Sequence, residues 1–250
     1  MCRRRAVADW NAACNLSVAN NDGRSEVSVF KKLKELFILP FSRKAPTELL
    51  GEADQWAVLR NSINAQSFII SAGVGRSITF EEAIIEKFDA TVILLDPSPT
   101  GVETMRKKTD KRNIDFLEMG LASQGGEISF GRPDRTDEGS FRKGGKEEGI
   151  VFECISLDEL LAKYDKNKID LLKIDVEGFE YEIIESIFEK KLDVEQICVE
   201  IHHNKVIAID KTVADAALLI IKLFRHGYRV IYNRNMDFTF SKQQRLVGAN

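Results

Sequence analysis

The stretch FIISAGVGRSITFEEAI, residues 68–84, passes from an apolar run through Gly73 and Gly75 into an acidic, amphipathic segment. The apolar run predicts a strand over Phe68–Ser71, and the segment after the glycines predicts a helix over Thr79–Phe88. Glycines at such a junction let the backbone approach a ligand closely. The stretch therefore predicts the first strand and helix of a parallel sheet that binds its ligand at the carboxyl edge.

The same alternation of short buried strands and amphipathic helices continues along the chain. It predicts an α/β fold, doubly wound, with a mostly parallel sheet and helices on both faces. Further strands are predicted at Thr91–Asp96, Ile114–Leu117, Asp170–Ile174, Gln196–Ile201, Tyr228–Tyr232 and Phe238–Ser241. Further helices are predicted at Thr100–Lys108, Leu157–Lys163, Glu180–Glu189 and Lys211–His226.

Two regions stand outside this alternation. Residues 1–66 are predicted to form an amino-terminal helical or extended appendage, with one helix that stops at Pro40 and a second over Thr47–Arg60. Residues 67–250 are predicted to form the main domain. Within it, residues 123–154 interrupt the alternation as a loop and hairpin insertion with the arms EISF and IVFECI.

Composition narrows the classes of partner. A net charge of −3 provides no overall basic field, which argues against nucleic acid as the main partner. The longest apolar run, Ala216–Ile221, is too short to cross a bilayer, and no apolar signal core follows the basic start. The four cysteines lack metal-ligand spacing. We expect a cytoplasmic protein, without membrane insertion, that binds a small molecule or glycan; its oligomeric state stays open.

The end of the second predicted strand indicates a cofactor that contains a nucleoside. Asp96 lies 23 residues after Gly73, where a carboxylate can accept hydrogen bonds from both hydroxyls of a ribose. It could instead simply cap the turn that Pro97 begins. The third glycine of the dinucleotide fingerprint is replaced by Ile78, and no phosphate-loop motif occurs. S-adenosylmethionine, which carries no phosphate, therefore fits better than NAD(P).

A second informative stretch, LLKIDVEGFEYEII, places Asp175 and Glu177 just after a buried strand. In the next strand, QICVEIHH, alternation puts Glu200 and His202 on the same side. If these strands are neighbours, the four side chains converge and can bind a ligand or transfer a proton. Alternatively, Glu200 and His202 only hydrogen-bond the loops that close the sheet. These groups could also hold Mg²⁺ or Mn²⁺, but no compact ligand motif supports a metal, so none is predicted.

Five stretches resemble the FkbM family of S-adenosylmethionine-dependent methyltransferases. In chain order they are SAGVGRSITFEEAI, VILLDPSP, ISLDELLAKYDKNKIDLLKIDVEGFEYEII, ICVEIHH and HGYRVIYNRNMDFTF, and they span roughly residues 66–241. The third stretch is the one most specific to this family. The resemblance implies a class I methyltransferase sheet of seven strands with the last one antiparallel. It also implies O-methylation of a hydroxyl on a polyketide, sugar or lipid-linked natural product.

The resemblance further assigns the site. In the family, glycines line the methionine part of the cofactor, the acid after the second strand binds the ribose, and residues after the third strand border the adenine. The implied cofactor-binding residues are Ser71, Gly73, Gly75, Asp96, Pro97, Gly120 and Leu121. The implied catalytic residues are Asp175 near the sulfonium, with Glu177 and His202 toward the acceptor.

Ser71 departs from the family pattern, because it stands where the first motif usually has an acid. A serine can still hydrogen-bond the cofactor's ammonium group, but it brings no charge. Two alternatives stay open at this point. One is an NAD(P)-dependent oxidoreductase on a similar sheet, although the third glycine and an evident Tyr/Lys catalytic pair are missing. The other is a catalytically degenerate protein that keeps the fold for binding or as a scaffold.

Overall fold

The computed structural model describes residues 38–131, 141, 149–204 and 209–244. The helix predicted before Pro40 and most of the loop between the two hairpin arms lie outside these residues. A 3₁₀ helix spans Leu39–Phe41. The α-helices are α1 (Thr79–Phe88), α2 (Pro99–Lys107), α3 (Leu157–Lys163), α4 (Glu180–Glu189) and α5 (Val213–Arg225).

Fourteen strands lie within the described ranges of the chain. They are β1 (Thr47–Leu50), β2 (Trp56–Leu59), β3 (Ile69–Ala72), β4 (Val92–Leu95), β5 (Ile114–Leu117), β6 (Gly120–Leu121), β7 (Gly126–Phe130), β8 (Ile150–Ile155), β9 (Lys168–Ile169), β10 (Leu171–Ile174), β11 (Asp193–Val194), β12 (Gln196–Glu200), β13 (Tyr228–Arg234) and β14 (Asp237–Lys242).

The central sheet contains seven strands in the order β13-β14-β12-β10-β3-β4-β5. Strand β3 pairs in parallel with β4 on one side and with β10 on the other. Strand β14 is antiparallel to both of its neighbours. A large, mostly parallel sheet is thus confirmed. Because the chain moves outward from β3 in both directions, the strand order reverses between β3 and β10, where ligands bind in open α/β sheets.

Apolar residues on both faces of β3 are buried in different clusters. Ile70 and Ala72 belong to the cluster that includes residues of α3, α4 and α5. Ile69 belongs to the other cluster, with Phe80 and Ile84 of α1. Side chains alternate along a strand, so the two clusters lie on opposite sides of the sheet. Within the described residues, no helix is long and apolar enough to cross a membrane.

Three helices have the predicted bounds, and local capping explains why the other two begin at different residues. The bounds of α1, α3 and α4 are those that the sequence predicts. Helix α5 begins two residues later than predicted because Thr212 is its N-cap, and Thr212 and Asp215 form a capping box. Helix α2 begins at Pro99 because the Ser98 side chain accepts a hydrogen bond from the Gly101 N–H.

The predicted helix over Thr47–Arg60 is wrong. This segment is an antiparallel hairpin of β1 and β2, in which Leu50 pairs with Trp56. Gly51 leads into the connection with φ of +89°, and a Cβ there would lie 2.1 Å from the Asp54 carbonyl oxygen. The turn therefore needs a glycine.

Contacts with distant residues hold the hairpin in place. The side chain of Thr79 accepts the N–H groups of residues 52, 53 and 54. Gln196 accepts the Leu59 N–H at 2.6 Å, and the Thr239 hydroxyl donates to the Ala57 carbonyl at 2.7 Å. Local periodicity cannot register such contacts, and here they outweigh helical propensity. The hairpin packs against the sheet, while a domain boundary at residue 66 stays a prediction.

The hairpin predicted from EISF and IVFECI is confirmed. Strands β7 and β8 pair antiparallel, with Phe130 opposite Ile150. Strand β6 joins β8 in parallel, so the hairpin is attached directly to the segment that follows β5. This attachment places the insertion beside the carboxyl edge of the central sheet.

Candidate active site at the carboxyl edge of the sheet

The loop after β3 approaches the end of β10 so closely that only glycine fits at its start. Gly73 has φ of +93°, and a Cβ there would lie 2.0 Å from the Asp175 carbonyl oxygen. Its N–H donates to Leu95 O at 2.9 Å, which ties the loop to β4. Gly75 also has positive φ, and nothing lies within 4 Å of its Cβ position. The loop thus leaves open space beside its backbone.

Asp96 clamps this loop from the end of β4. Its Oδ2 accepts the N–H groups of Val74 at 2.9 Å and Gly75 at 3.0 Å, while Oδ1 accepts the Ser98 N–H at 2.7 Å. The residue is only 6% exposed. A carboxylate offers about four acceptor positions, so these bonds leave about one for a ligand. The predicted grip on both ribose hydroxyls stays a prediction, and the structure adds the role of holding the glycine loop.

Seven of the predicted site residues line one pocket: Gly73, Asp96, Pro97, Gly120, Leu121, Asp175 and Glu177. Phe130, Phe141 and Phe152, which the sequence analysis did not single out, form another part of its wall. Their rings contact one another, with centroids 5.2 and 5.3 Å apart. The alternation of side chains along the two hairpin arms could have pointed to these rings. It does not tell which face of the hairpin lines the pocket.

The aromatic wall keeps this pocket narrow. Its free interior is about 60 Å³, well below the roughly 300 Å³ or more of typical ligand pockets. The site thus combines a polar floor, which includes Asp96 and Asp175, with an aromatic wall.

Ser71 is directed to another side chain rather than to the pocket. Its hydroxyl donates to Glu81 Oε1 at 2.5 Å, and both residues are almost fully buried. Glu81 belongs to α1, ten residues further along the chain. A carboxylate of the following helix thus lies against Ser71, but it does not line the pocket. The sequence analysis missed Glu81, which lies among the acidic residues of that helix.

Lys173 connects the pair of Ser71 and Glu81 with the glycine loop through its ammonium group. It lies opposite Ser71 on β10, and its Nζ donates to the Gly73 carbonyl at 2.8 Å. Nζ also lies 3.3 Å from Asp54 Oδ2 and 3.7 Å from Glu81 Oε1. Burial alone would lower the pKa of Lys173, but the charges of Glu81 and Asp54 raise it above its usual value. Burial raises the pKa of Glu81 despite that partner.

The four predicted acid and imidazole groups do converge, because β10 and β12 are parallel neighbours. The ligand atoms of Asp175, Glu200 and His202 all lie within 4.8 Å of one another. His202 Nε2 is 3.5 Å from Glu177 Oε2 and 3.7 Å from Glu200 Oε1. His202 Nδ1 lies 2.6 Å from Glu180 Oε1, a fully buried carboxylate that the sequence analysis missed.

A tight turn after β10 presents this cluster. Glu177 has φ of +50° and Gly178 has φ of +107°. A non-glycine residue with positive φ stores strain, which concentrates at functional sites. The Gly178 N–H donates to both carboxylate oxygens of Glu180, and Tyr181 donates its hydroxyl to His202 O at 2.6 Å. The start of α4 therefore holds the imidazole of His202 through Glu180 and the backbone carbonyl of His202 through Tyr181.

Burial and mutual charges shift the pKa values of the side chains in this cluster. Burial lowers the pKa of His202, but the hydrogen bond to Glu180 and the surrounding carboxylates outweigh burial and raise it to about 10. Burial raises the pKa of Asp175 to about 6, against the lowering effect of Lys173 and His202. Burial and then the charge of Asp175 raise the pKa of Glu200 to about 7. Negative charge is thus in excess at this edge of the sheet.

Gly73→Ala is expected to weaken binding of S-adenosylhomocysteine by about 100-fold, because the new Cβ forces the loop away from Asp175. Titration calorimetry measures this affinity. Gly227→Ala is the matched control, since Gly227 has φ of +88° but nothing within 4 Å of its Cβ position. It should lose about 1 kcal/mol of stability and keep its affinity. Equal affinities for both variants would contradict the close approach.

Comparison with known proteins shows the family to which the chain belongs. A family model described as "Methyltransferase FkbM domain" matches residues 11–230. The chain therefore belongs to the FkbM methyltransferase family, as its motifs predict. It is 26% identical over 199 residues to the hexuronic acid methyltransferase AglP of Haloferax volcanii, and the match covers 79% of each chain.

A structural comparison matches the crystal structure of a methyltransferase FkbM from Methylobacillus flagellatus KT. The two share 12% sequence identity with a TM-score of 0.45. The match covers 94% of this chain but spans 58% of the length of the other one.

Proposed function

We propose that this protein is a cytoplasmic, S-adenosylmethionine-dependent O-methyltransferase that acts on a hydroxyl of a sugar or related small molecule. One observation carries the proposal: the glycine loop that Asp96 clamps meets Asp175 and Glu177 in one pocket, at the point where the strand order reverses. The order β13-β14-β12-β10-β3-β4-β5, with β14 antiparallel, supports a doubly wound class I methyltransferase sheet.

The residues of the pocket fit the cofactor chemically. S-adenosylmethionine, when bound, supplies a methyl group that its positive sulfur activates. The bare backbone at Gly73 and the open space beside Gly75 would accommodate the amino-acid part. Asp96 would accept a hydrogen bond from the ribose, and the apolar side chains of Leu121 and Phe130 would border the adenine.

Transfer of a methyl group from an activated sulfonium mainly requires alignment of the acceptor and removal of its proton. Asp175 and His202 are the two candidate bases. Asp175 lines the pocket, whereas His202 is 4% exposed and holds Nδ1 against Glu180. We therefore assign proton removal to Asp175, and we assign to His202 the positioning of the acidic side chains around it.

The acceptor class rests on the relative that acts on a hexuronic acid. Sugar hydroxyls suit a site rich in carboxylates, because each carboxylate oxygen accepts hydrogen bonds from them. Glu177 and Glu200 are the partly exposed acids available for this purpose. The aromatic wall offers an apolar surface on which a sugar ring can pack.

Ligand binding by the purified protein tests the proposal against both rivals. S-adenosylhomocysteine should bind in titration calorimetry and raise the melting temperature, whereas NADH should do neither. The Gly73→Ala protein serves as the control with a perturbed loop. Binding of NADH instead would favour an oxidoreductase. If neither ligand binds, the chain is a degenerate member that keeps only the fold.

A further inference from the structure

We propose that Asp175, Glu200 and His202 form a binding site for a divalent metal ion at the carboxyl edge of β10 and β12. The sequence predicts no metal because these ligands lie on two strands, 25 residues apart along the chain, and form no compact motif. In the fold their ligand atoms lie within 4.8 Å of one another. Octahedral ligands at about 2.1 Å from an ion are separated by about 3 to 4 Å, so a small inward movement closes the site.

The imidazole is already oriented as a metal ligand. A ligating histidine typically donates its second ring N–H to a carboxylate, which fixes the direction of the free nitrogen. His202 meets this condition, with Nδ1 2.6 Å from Glu180 Oε1. The Glu180 carboxylate is in turn held by the Gly178 N–H. Nε2 is left facing the acids, 3.7 Å from Glu200 Oε1.

The carboxylates of this cluster outnumber its cations: among the described residues His202 faces them as an imidazolium, and a metal ion would take the place of the proton on its Nε2. Asp175, Glu177, Glu180 and Glu200 surround a single imidazole. The nearby Lys173 is engaged with the Gly73 carbonyl and with Asp54. Within the described part of the chain, Glu177 Oε2 makes no hydrogen bond, and it lies 3.5 Å from His202 Nε2. Buried acids of this kind are stabilised when they pair with a cation or coordinate a metal.

The ligand set selects the class of ion. Carboxylate oxygens suit Mg²⁺ and Mn²⁺, and imidazole suits the transition metals, so Mn²⁺ satisfies both kinds of donor. Asp175 and Glu200 are partly exposed, and Asp175 lines the pocket. The remaining coordination positions can therefore face an acceptor. A bound ion could lower the pKa of the acceptor hydroxyl, and this role rests on the proposed methyl transfer. The binding of the ion to the protein does not depend on that proposal.

Mn²⁺ binding by the full chain tests this site without cofactor or acceptor. After treatment with EDTA and dialysis, the protein is titrated with MnCl₂, and the free ion is followed by electron paramagnetic resonance. We expect one Mn²⁺ per chain, with affinity at least about tenfold weaker in Glu200→Gln and His202→Ala. Glu185→Gln, which removes an acid that pairs with Lys222, is the control and should bind like the wild type.

Two outcomes overturn the proposal: no uptake of Mn²⁺ by the wild type, or uptake that persists unchanged in Glu200→Gln. Glu200 is 30% exposed, so its glutamine variant keeps the test valid even if His202→Ala does not fold. S-adenosylhomocysteine binding is measured on the same samples. Protein that binds this ligand but no Mn²⁺ overturns the metal site alone. Protein that binds Mn²⁺ but no S-adenosylhomocysteine overturns the proposed function alone.

Discussion

Replacing Asp175 by asparagine is expected to lower the turnover of methyl transfer by about a thousandfold. Asparagine keeps the shape of the side chain but cannot take a proton from an acceptor hydroxyl or provide a charged metal ligand. Initial rates at saturating S-adenosylmethionine measure the loss. The affinity for S-adenosylhomocysteine should change only a few-fold, because the Gly73 loop contacts the backbone of Asp175, not its carboxylate.

A matched control lies at the other end of the same strand segment. Asp170 accepts the Phe68 N–H at 3.0 Å and pairs with Lys168, away from the pocket. Asp170→Asn keeps an acceptor for that N–H and should retain turnover. His202→Ala is expected to reduce turnover through loss of positioning. Near wild-type turnover in both Asp175→Asn and His202→Ala would remove this cluster from catalysis.

Lys173→Met is expected to lower the free energy of unfolding by about 3 to 5 kcal/mol. The lysine is 2% exposed, and methionine matches its length without its charge. The substitution would leave the Gly73 carbonyl and the buried carboxylate of Glu81 without their cation. Denaturant unfolding followed by circular dichroism measures the change.

Two further variants separate charge from packing. Lys87→Met removes a lysine that pairs with Glu48 on the surface, and it should cost less than about 1 kcal/mol. Adding Glu81→Gln to Lys173→Met removes the uncompensated buried charge and should recover part of the lost stability. A cost below 1 kcal/mol for Lys173→Met, or no recovery in the double variant, would contradict this account of the buried network.

The regular elements of the sheet were the most predictable part of the molecule. Helices α1, α3 and α4 have the bounds that hydrophobic periodicity predicts, and in α3 a capping box of Ser156 and Glu159 also marks the start. The hairpin of β1 and β2 was mistaken for a helix because its apolar residues also fit a helical spacing. Its true structure depends on Thr79, Gln196 and Thr239, which lie far away in the sequence.

The candidate site also has a part that local sequence predicts and a part that depends on distant contacts. Motifs placed Gly73, Asp96 and Asp175 at strand ends, and in a parallel sheet those ends meet at one edge. The sequence by itself therefore determined the family and the mostly parallel sheet, since both follow from short local patterns, and it predicts which edge of the sheet carries the chemistry. It also pointed to the convergence of Asp175 with the acids of the next strand.

Only the tertiary structure decided which groups complete that edge. Glu81 accepts the hydroxyl of Ser71, Glu180 orients His202, and three phenyl rings form part of the wall of the pocket. None of these partners has a fixed spacing along the chain. They are chosen by the packing of helices and of a hairpin against strand ends, and such packing is a property of the whole fold.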